Sequence, residues 1–292
     1  MPTIQVQEFN LDATLASGQC FRWKREPWKG GEWIGVIGDK AVTVRQLGDE
    51  LEYKGCGDEL MRNYFGLDDP IAEILESIGK DSLMSDAIAK YRGLRVLNQD
   101  PWETMISFML SVNNSIPNIE RTIERLCKAY GRELPNGHFS FPKPQLIEQA
   151  TEAELRGLKM GFRAKYVKAA AEKILTHEKS LEALRGLPYD DAKARLMGFD
   201  GIADKVADCI LLYGLGFDDA FPIDTWVEKA MIEDYGRKIK RTSRAKEPTY
   251  REMQSFSREY FGPYAGWAQL YLYHWKRLAK RVKPSSLPAR RT

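Results

Sequence analysis

The chain has 292 residues, 44 Lys and Arg against 41 Asp and Glu for a net charge of +3, and a hydrophobic share of 43%. That length gives one large domain, or two to three small ones, with material for a buried core. With 29% charged and 11% aromatic residues it is neither disordered nor fibrous, and no apolar run approaches the roughly 20 residues of a membrane span.

Residues 1–10 are too polar to read as a secretory signal. Residues 4–7, 20–23, 33–37, 41–45 and 51–53 are short runs of β type, with Gly30-Gly31, Gly38-Asp39 and Gly48-Asp49 as turns. They predict a small antiparallel sheet over residues 1–56. From about residue 58 the apolar period becomes helical. Asp100-Pro101-Trp102-Glu103 is a helix start, with Asp as N-cap, Pro at the first helical position and Glu three residues after the cap. Thr151-Glu152-Ala153-Glu154 and Thr249-Tyr250-Arg251-Glu252 are capping boxes. Helices are expected over residues 166–177, 189–197, 205–215, 225–235 and 264–280, and no solenoid repeat is present. The predicted class is α+β: a small N-terminal antiparallel β domain (1–80), a mostly helical body (81–281) and a flexible basic tail (282–292).

Cys20, Cys56, Cys127 and Cys209 are far apart without a C-x-x-C pair, which argues against a zinc ribbon or a clustered-cysteine iron–sulfur site. Reduced thiols in an intracellular protein are the expectation. Charge is unevenly placed. Residues 237–292 hold 15 Lys and Arg against 3 Asp and Glu, a net of +12, and residues 1–236 hold 29 against 38, a net of −9. Such a split fits one face that meets a polyanion, and equally a solvated basic tail.

The most informative stretch is Leu196-Met197-Gly198-Phe199-Asp200-Gly201-Ile202-Ala203-Asp204-Lys205-Val206-Ala207-Asp208-Cys209-Ile210. One helix ends, small residues at Gly201 and Ala203 allow a tight turn, and a second helix starts with unpaired first-turn amides. Such a turn can hold a phosphate on backbone N–H groups; a plain turn between helices is the structural alternative. Lys205 lies at a helix start, where a cation is disfavoured, which makes its amine a candidate nucleophile. Nineteen residues on, Phe221-Pro222-Ile223-Asp224-Thr225-Trp226 places Asp224 at the N-cap of the next helix. By itself that is an ordinary cap.

Gly201 to Ile210 together with Phe221 to Asp224 resembles the helix-hairpin-helix, Gly/Pro…Asp superfamily of DNA glycosylases. Four further segments resemble its 8-oxoguanine DNA glycosylase/AP lyase family: Ser17-Gly18-Gln19-Cys20-Phe21-Arg22-Trp23, residues 108–116 with Asn113-Asn114, Gly161-Phe162-Arg163-Ala164-Lys165-Tyr166, and Gly262-Pro263-Tyr264-Ala265-Gly266-Trp267-Ala268-Gln269. The match runs in order over roughly residues 10–280. It implies excision of 8-oxoguanine from duplex DNA, followed by nicking at the abasic site. On this resemblance Lys205 attacks C1′ of the flipped nucleotide and forms a Schiff base, and Asp224 stabilises the charge that builds on the sugar. The Gly18 carbonyl accepts N7–H, the proton that guanine lacks. Gln269 reads the Watson–Crick edge, and Cys209 and Tyr273 sandwich the ring. Asn113, Phe162 and Arg163 correspond to an estranged-base contact, the wedge and a cytosine reader, with Asn114 beside them. Gly201, Ala203 and Trp226 fall at phosphate contacts.

The resemblance has departures. Asn118 stands where the animal-type enzymes carry an Arg that helps to read cytosine, so weaker discrimination among opposite bases is expected. Trp226 replaces a His near the phosphate, and an indole cannot become cationic. The implied partner is double-stranded DNA containing 8-oxoguanine, bound by a monomer; no membrane or cofactor is expected, no metal-ligating side chain is assigned, and a metal ion on the hairpin carbonyls is left open. The implied place is the cytoplasm or nucleoid of a prokaryote, or a nucleus. Two other readings compete: the same fold acting on another base, against which Lys205 argues, and a DNA-binding module without activity, which has no need of Lys205, Asp224 and Gln269 together.

Overall fold

Val42, Val44, Leu51 and Tyr53 alternate with polar neighbours and are fully buried, so their strands have one apolar face and one solvated face. The computed structural model describes residues 1–26, 30–176 and 180–279. It pairs these strands in an antiparallel sheet of β1 (Thr3–Gln5), β2 (Lys24–Glu26), β3 (Glu32–Ile37), β4 (Lys40–Leu47) and β5 (Glu50–Lys54), in the order β1-β5-β4-β3-β2. The register sets Trp33 against Val44 and Val44 against Tyr53, a buried row across the sheet.

Two features depart from the predicted pattern. A helix, α1 (Leu11–Ala16), interrupts the sheet sequence and is capped by the Asn10 side chain on the Ala13 amide. Residues 20–23 are not a strand; pairing begins only at Lys24. There Cys20 and Trp23 face the small core of the sheet, whereas Phe21 faces the large core of the helical body. Arg22 pairs with Glu103 at 3.0 Å. The segment is a seam between two cores, so its β-type composition reflects burial on both sides and not a ladder.

The helices follow: α2 (Asp58–Phe65), which packs on the sheet core through Met61, Tyr64 and Phe65, then α3 (Ile71–Ile78), α4 (Ser82–Lys90), α5 (Pro101–Leu110), α6 (Ile116–Tyr130), α7 (Pro144–Gln149), α8 (Glu152–Leu155), α9 (Ala164–Thr176), α10 (Tyr189–Met197), α11 (Asp204–Leu215), α12 (Thr225–Ala230), α13 (Tyr250–Phe261) and α14 (Ala265–Ala279). A two-stranded ladder, β6 (Glu133–Leu134) with β7 (His138–Phe139), lies between α6 and α7. The architecture is α+β, as expected. Both capping boxes form. Asp100 caps α5 on the Glu103 amide, but the Glu103 carboxylate goes to Arg22 and does not reach back. The predicted helix at 225–235 ends as regular helix at Ala230 and continues as a wider π turn over Met231–Tyr235. The tail expected at 282–292, and His177, lie outside the described residues.

Candidate active site

The turn between α10 and α11 depends on Gly201. Its φ is +85°, and a Cβ there would meet the Tyr166 ring at 2.7 Å, so both backbone and space require glycine. Ala203 is the N-cap of α11 and supplies no side-chain acceptor. Gly201 and Ala203 are exposed, so the turn offers the uncapped end of a helix to solvent, a geometry suited to a phosphate.

Lys205 is the second residue of α11. Its Nζ donates to Ser111 Oγ at 3.2 Å and lies 4.9 Å from the centre of the Phe108 ring. Ser111 caps the end of α5, and its hydroxyl proton goes to the Phe108 carbonyl at 2.6 Å. Its lone pairs are therefore free to receive the amine. Cys209, one turn further along α11, is buried; burial pushes its thiol up to about 12, against the pull of Lys205, and it stays a neutral thiol.

Asp224 caps α12, with Oδ1 accepting from the Trp226 amide at 3.0 Å and the Val227 amide at 2.9 Å. Burial raises its carboxyl above the usual range, while these amides, Lys205 and Arg277 pull it down. The amine and the carboxylate thus lie in each other's field, each at the start of its own helix. Trp226 is half-buried on the first turn of α12.

A buried polar cluster behind α11 holds these two helix starts together. The Tyr250 hydroxyl accepts from the Ile223 amide at 3.2 Å and donates to Asp208 Oδ2 at 2.6 Å. Asp208, fully buried, also accepts from Tyr189, Lys193 and Gln254. Burial raises its carboxyl, and Lys193 with these donors lowers it. The cluster links the residue before Asp224 to the helix of Lys205.

Gly18, at φ +89°, faces α14: a Cβ there would meet Arg277 Nη1 at 2.8 Å, the Tyr273 hydroxyl oxygen at 3.2 Å and Ile116 Cδ1 at 3.3 Å. Gln269, buried on the same helix, accepts at Oε1 from the Tyr213 hydroxyl at 3.1 Å. Tyr213 in turn stacks on Phe108, with centroids 5.5 Å apart and planes at 17°. Cys209 and Tyr273 lie within electrostatic reach of one another. Gly18, Cys209, Gln269 and Tyr273 are therefore gathered near Lys205 and Asp224 from three separate parts of the chain.

A second group lies on an exposed edge. Arg163 donates through Nε to the Val112 carbonyl at 2.8 Å and through Nη2 to the Asn113 carbonyl at 2.9 Å. Its guanidinium covers the Phe162 ring at 4.5 Å, and Phe162 is 47% exposed. Asn113 is exposed with φ +49°, a conformation that costs a non-glycine residue energy. Asn114 acts locally: its Nδ2 donates to the Leu110 carbonyl and its Oδ1 accepts from the Ser115 amide, both at 3.0 Å. Asn118 accepts from Arg121, which brings a guanidinium to that position from one turn along α6.

Ser111, Phe108, Tyr213, Tyr250 and Asp208 escaped the sequence reading as site residues. Ser111 lay within a segment singled out for its Asn pair, and its helix-ending place after Leu110 was the one local signal available.

Comparison with known proteins places the whole chain in a family. The description "8-oxoguanine DNA glycosylase, N-terminal domain" matches residues 2–105, and "HhH-GPD superfamily base excision DNA repair protein" matches residues 106–259. An N-glycosylase/DNA lyase of Saccharomyces cerevisiae is 31% identical over 92% of this chain and 84% of its own. The structure of a Clostridium acetobutylicum 8-oxoguanine glycosylase/lyase, in complex with double-stranded DNA containing cytosine opposite 8-oxoguanine, superposes with a TM-score of 0.86 at 31% identity. That match covers 96% of this chain and 99% of the other. MBOgg1, in complex with a low-affinity DNA ligand, superposes with a TM-score of 0.88 at 34% identity over 95% of this chain and 96% of its own. The chain belongs to the helix-hairpin-helix base excision DNA repair superfamily, within its 8-oxoguanine DNA glycosylase/lyase family.

Proposed function

We infer that the protein is a bifunctional DNA glycosylase/lyase that removes 8-oxoguanine from duplex DNA, acting as a monomer on the cell's own DNA in the cytoplasm, nucleoid or nucleus. The observation that carries this reading is the Lys205 amine, held on Ser111 and aimed from a helix start into the field of Asp224.

A base inside a duplex is out of reach, so the nucleotide is first extruded, at a cost of a few kcal/mol. Phe162 fills the gap it leaves, and Arg163 and Asn113 face the estranged partner. The flipped ring lies between Cys209 and Tyr273, with N7–H on the Gly18 carbonyl. Guanine has a lone pair there instead of a proton, and its entry leaves that carbonyl facing a lone pair. With Oε1 committed to Tyr213, Gln269 contributes its Nε2 hydrogens to the Watson–Crick edge.

The neutral Lys205 amine then attacks C1′. The N–C1′ bond forms as the C1′–N9 bond breaks, and its electron pair leaves on the base, which is protonated as it departs. Asp224 stabilises the positive charge that develops on the sugar. Loss of the amine proton and opening of the sugar give a Schiff base, and removal of a C2′ proton expels the 3′ phosphate. Asn118, a short neutral amide in place of a bidentate reader, gives relaxed opposite-base specificity.

Borohydride trapping tests the mechanism: wild type forms a covalent adduct with 8-oxoguanine DNA, and Lys205→Gln forms none. A trapped adduct with Lys205→Gln, or none with wild type, excludes it.

A further inference from the structure

α14 reaches the Gly18 segment through a residue that the function proposed above leaves unassigned. Arg277 donates through Nη2 to the carbonyl of Ala16, the last residue of α1. A helix end leaves such a carbonyl without an intrahelical donor, so the contact anchors the end of α1. The same guanidinium lies 5.1 Å from the centre of the Tyr273 ring. Its Nη1 packs where a Cβ of Gly18 would sit, and its charge lowers the Asp224 carboxyl.

Gly18 is thereby fixed on both sides. On one side the buried Gln19 side chain donates to the Arg95 carbonyl and accepts from the Leu97 amide, both at 2.8 Å. On the other, Arg277 holds Ala16. We propose that Arg277 is the positioning residue of base recognition, clamping the Ala16–Gly18 backbone to the Tyr273 ring so that the Gly18 carbonyl and the stacking face keep a fixed separation. The inference rests on reading Gly18 and Tyr273 as the base pocket. Arginine suits the task because one planar fork can donate to a carbonyl and lie over a ring at the same time, whereas a lysine ammonium is a point charge on a flexible stem.

An abasic site has no base to place in the pocket, so excision and strand nicking separate this role from a general loss of structure. Single-turnover excision of 8-oxoguanine and nicking of a preformed abasic duplex are measured for wild type, Arg277→Leu and Arg277→Lys, with Tm for each. The ratio of excision to nicking rates is expected to fall on the order of 10²-fold in Arg277→Leu, the scale of a displaced contact. In Arg277→Lys, which keeps the charge, less than about tenfold of that loss is expected to return. Equal losses in both reactions, an unchanged ratio, or full recovery with lysine would each overturn the proposal. Wild type that releases no 8-oxoguanine refutes the underlying reading instead, whatever the variants do.

Discussion

Lys205 Nζ and Ser111 Oγ lie 3.2 Å apart, and the serine proton is already committed to the Phe108 carbonyl. The hydroxyl can therefore only accept, which directs the amine through one N–H and leaves its lone pair uncontested. A hydrogen bond between neutral groups contributes about 0.5–1.5 kcal/mol. Ser111→Ala is accordingly expected to slow the covalent step by roughly twofold to tenfold, with little change in DNA affinity. Rapid-quench kinetics with borohydride, set beside equilibrium binding, measures both. A loss confined to affinity would mean that Ser111 does not orient the amine.

Asp224 predicts an acid limb at an unusual place. Burial raises its carboxyl above the ordinary aspartate range, and the backbone amides, Lys205 and Arg277 offset only part of this. Excision that needs the carboxylate therefore rises with pH through a value above ~3.9, the ordinary aspartate position. The sign for stability is opposite. A folded carboxyl that holds its proton more tightly than the unfolded one contributes stability that is fully present below ~3.9 and lost as pH rises through the elevated folded value. Asp224→Asn keeps an Oδ1 acceptor for the Trp226 and Val227 amides. It should melt no lower than wild type at pH 7, while excision falls about 10² to 10³-fold. A large drop in Tm would show that the charge, and not the cap, supports the fold there.

The parts of this site legible in the sequence were those whose chemistry is local. Gly201 lies in a tight turn and Lys205 and Asp224 at helix starts, and turn and cap rules act over a few residues. Asp100, Thr151 and Thr249 were readable for the same reason. Tyr250, Asp208 and Ile223 meet across 42 and 27 residues of chain, and Tyr213 meets Gln269 across 56. No periodicity encodes such pairs. Residues 20–23 misled because an apolar run buried between two cores has the composition of a strand without its ladder. α1 was overlooked because, at six residues, it is too short to show a helical period.

Tyr213 and Gln269 form a second testable pair. Tyr213→Phe keeps the ring that stacks on Phe108 but leaves Gln269 Oε1 buried without its donor. An unsatisfied buried acceptor costs about 1–3 kcal/mol, which urea denaturation at constant m would record. The freed amide can also rotate, so affinity for an 8-oxoguanine duplex should weaken by more than affinity for an abasic duplex. Equal weakening for the two duplexes would remove Gln269 from base recognition.

On the function proposed above, Asn113, Asn118 and Arg163 face the opposite base from an exposed edge. Arg163 spends its donors on the Val112 and Asn113 carbonyls, and the Asn118 oxygen is taken up by Arg121. Neither side chain is presented as a free bidentate fork toward the partner strand. A good bidentate contact discriminates by about 1–3 kcal/mol. Wild type is therefore expected to excise 8-oxoguanine opposite cytosine no more than about tenfold faster than opposite adenine. Asn118→Arg removes the acceptor that holds Arg121 and places a guanidinium at the reading position; it should raise that ratio by roughly tenfold to a hundredfold. Single-turnover rates on the four opposite-base duplexes measure both quantities. A wild-type preference for cytosine of several orders of magnitude would instead assign strong reading to residues already present, with Arg121 and Arg163 the first to substitute.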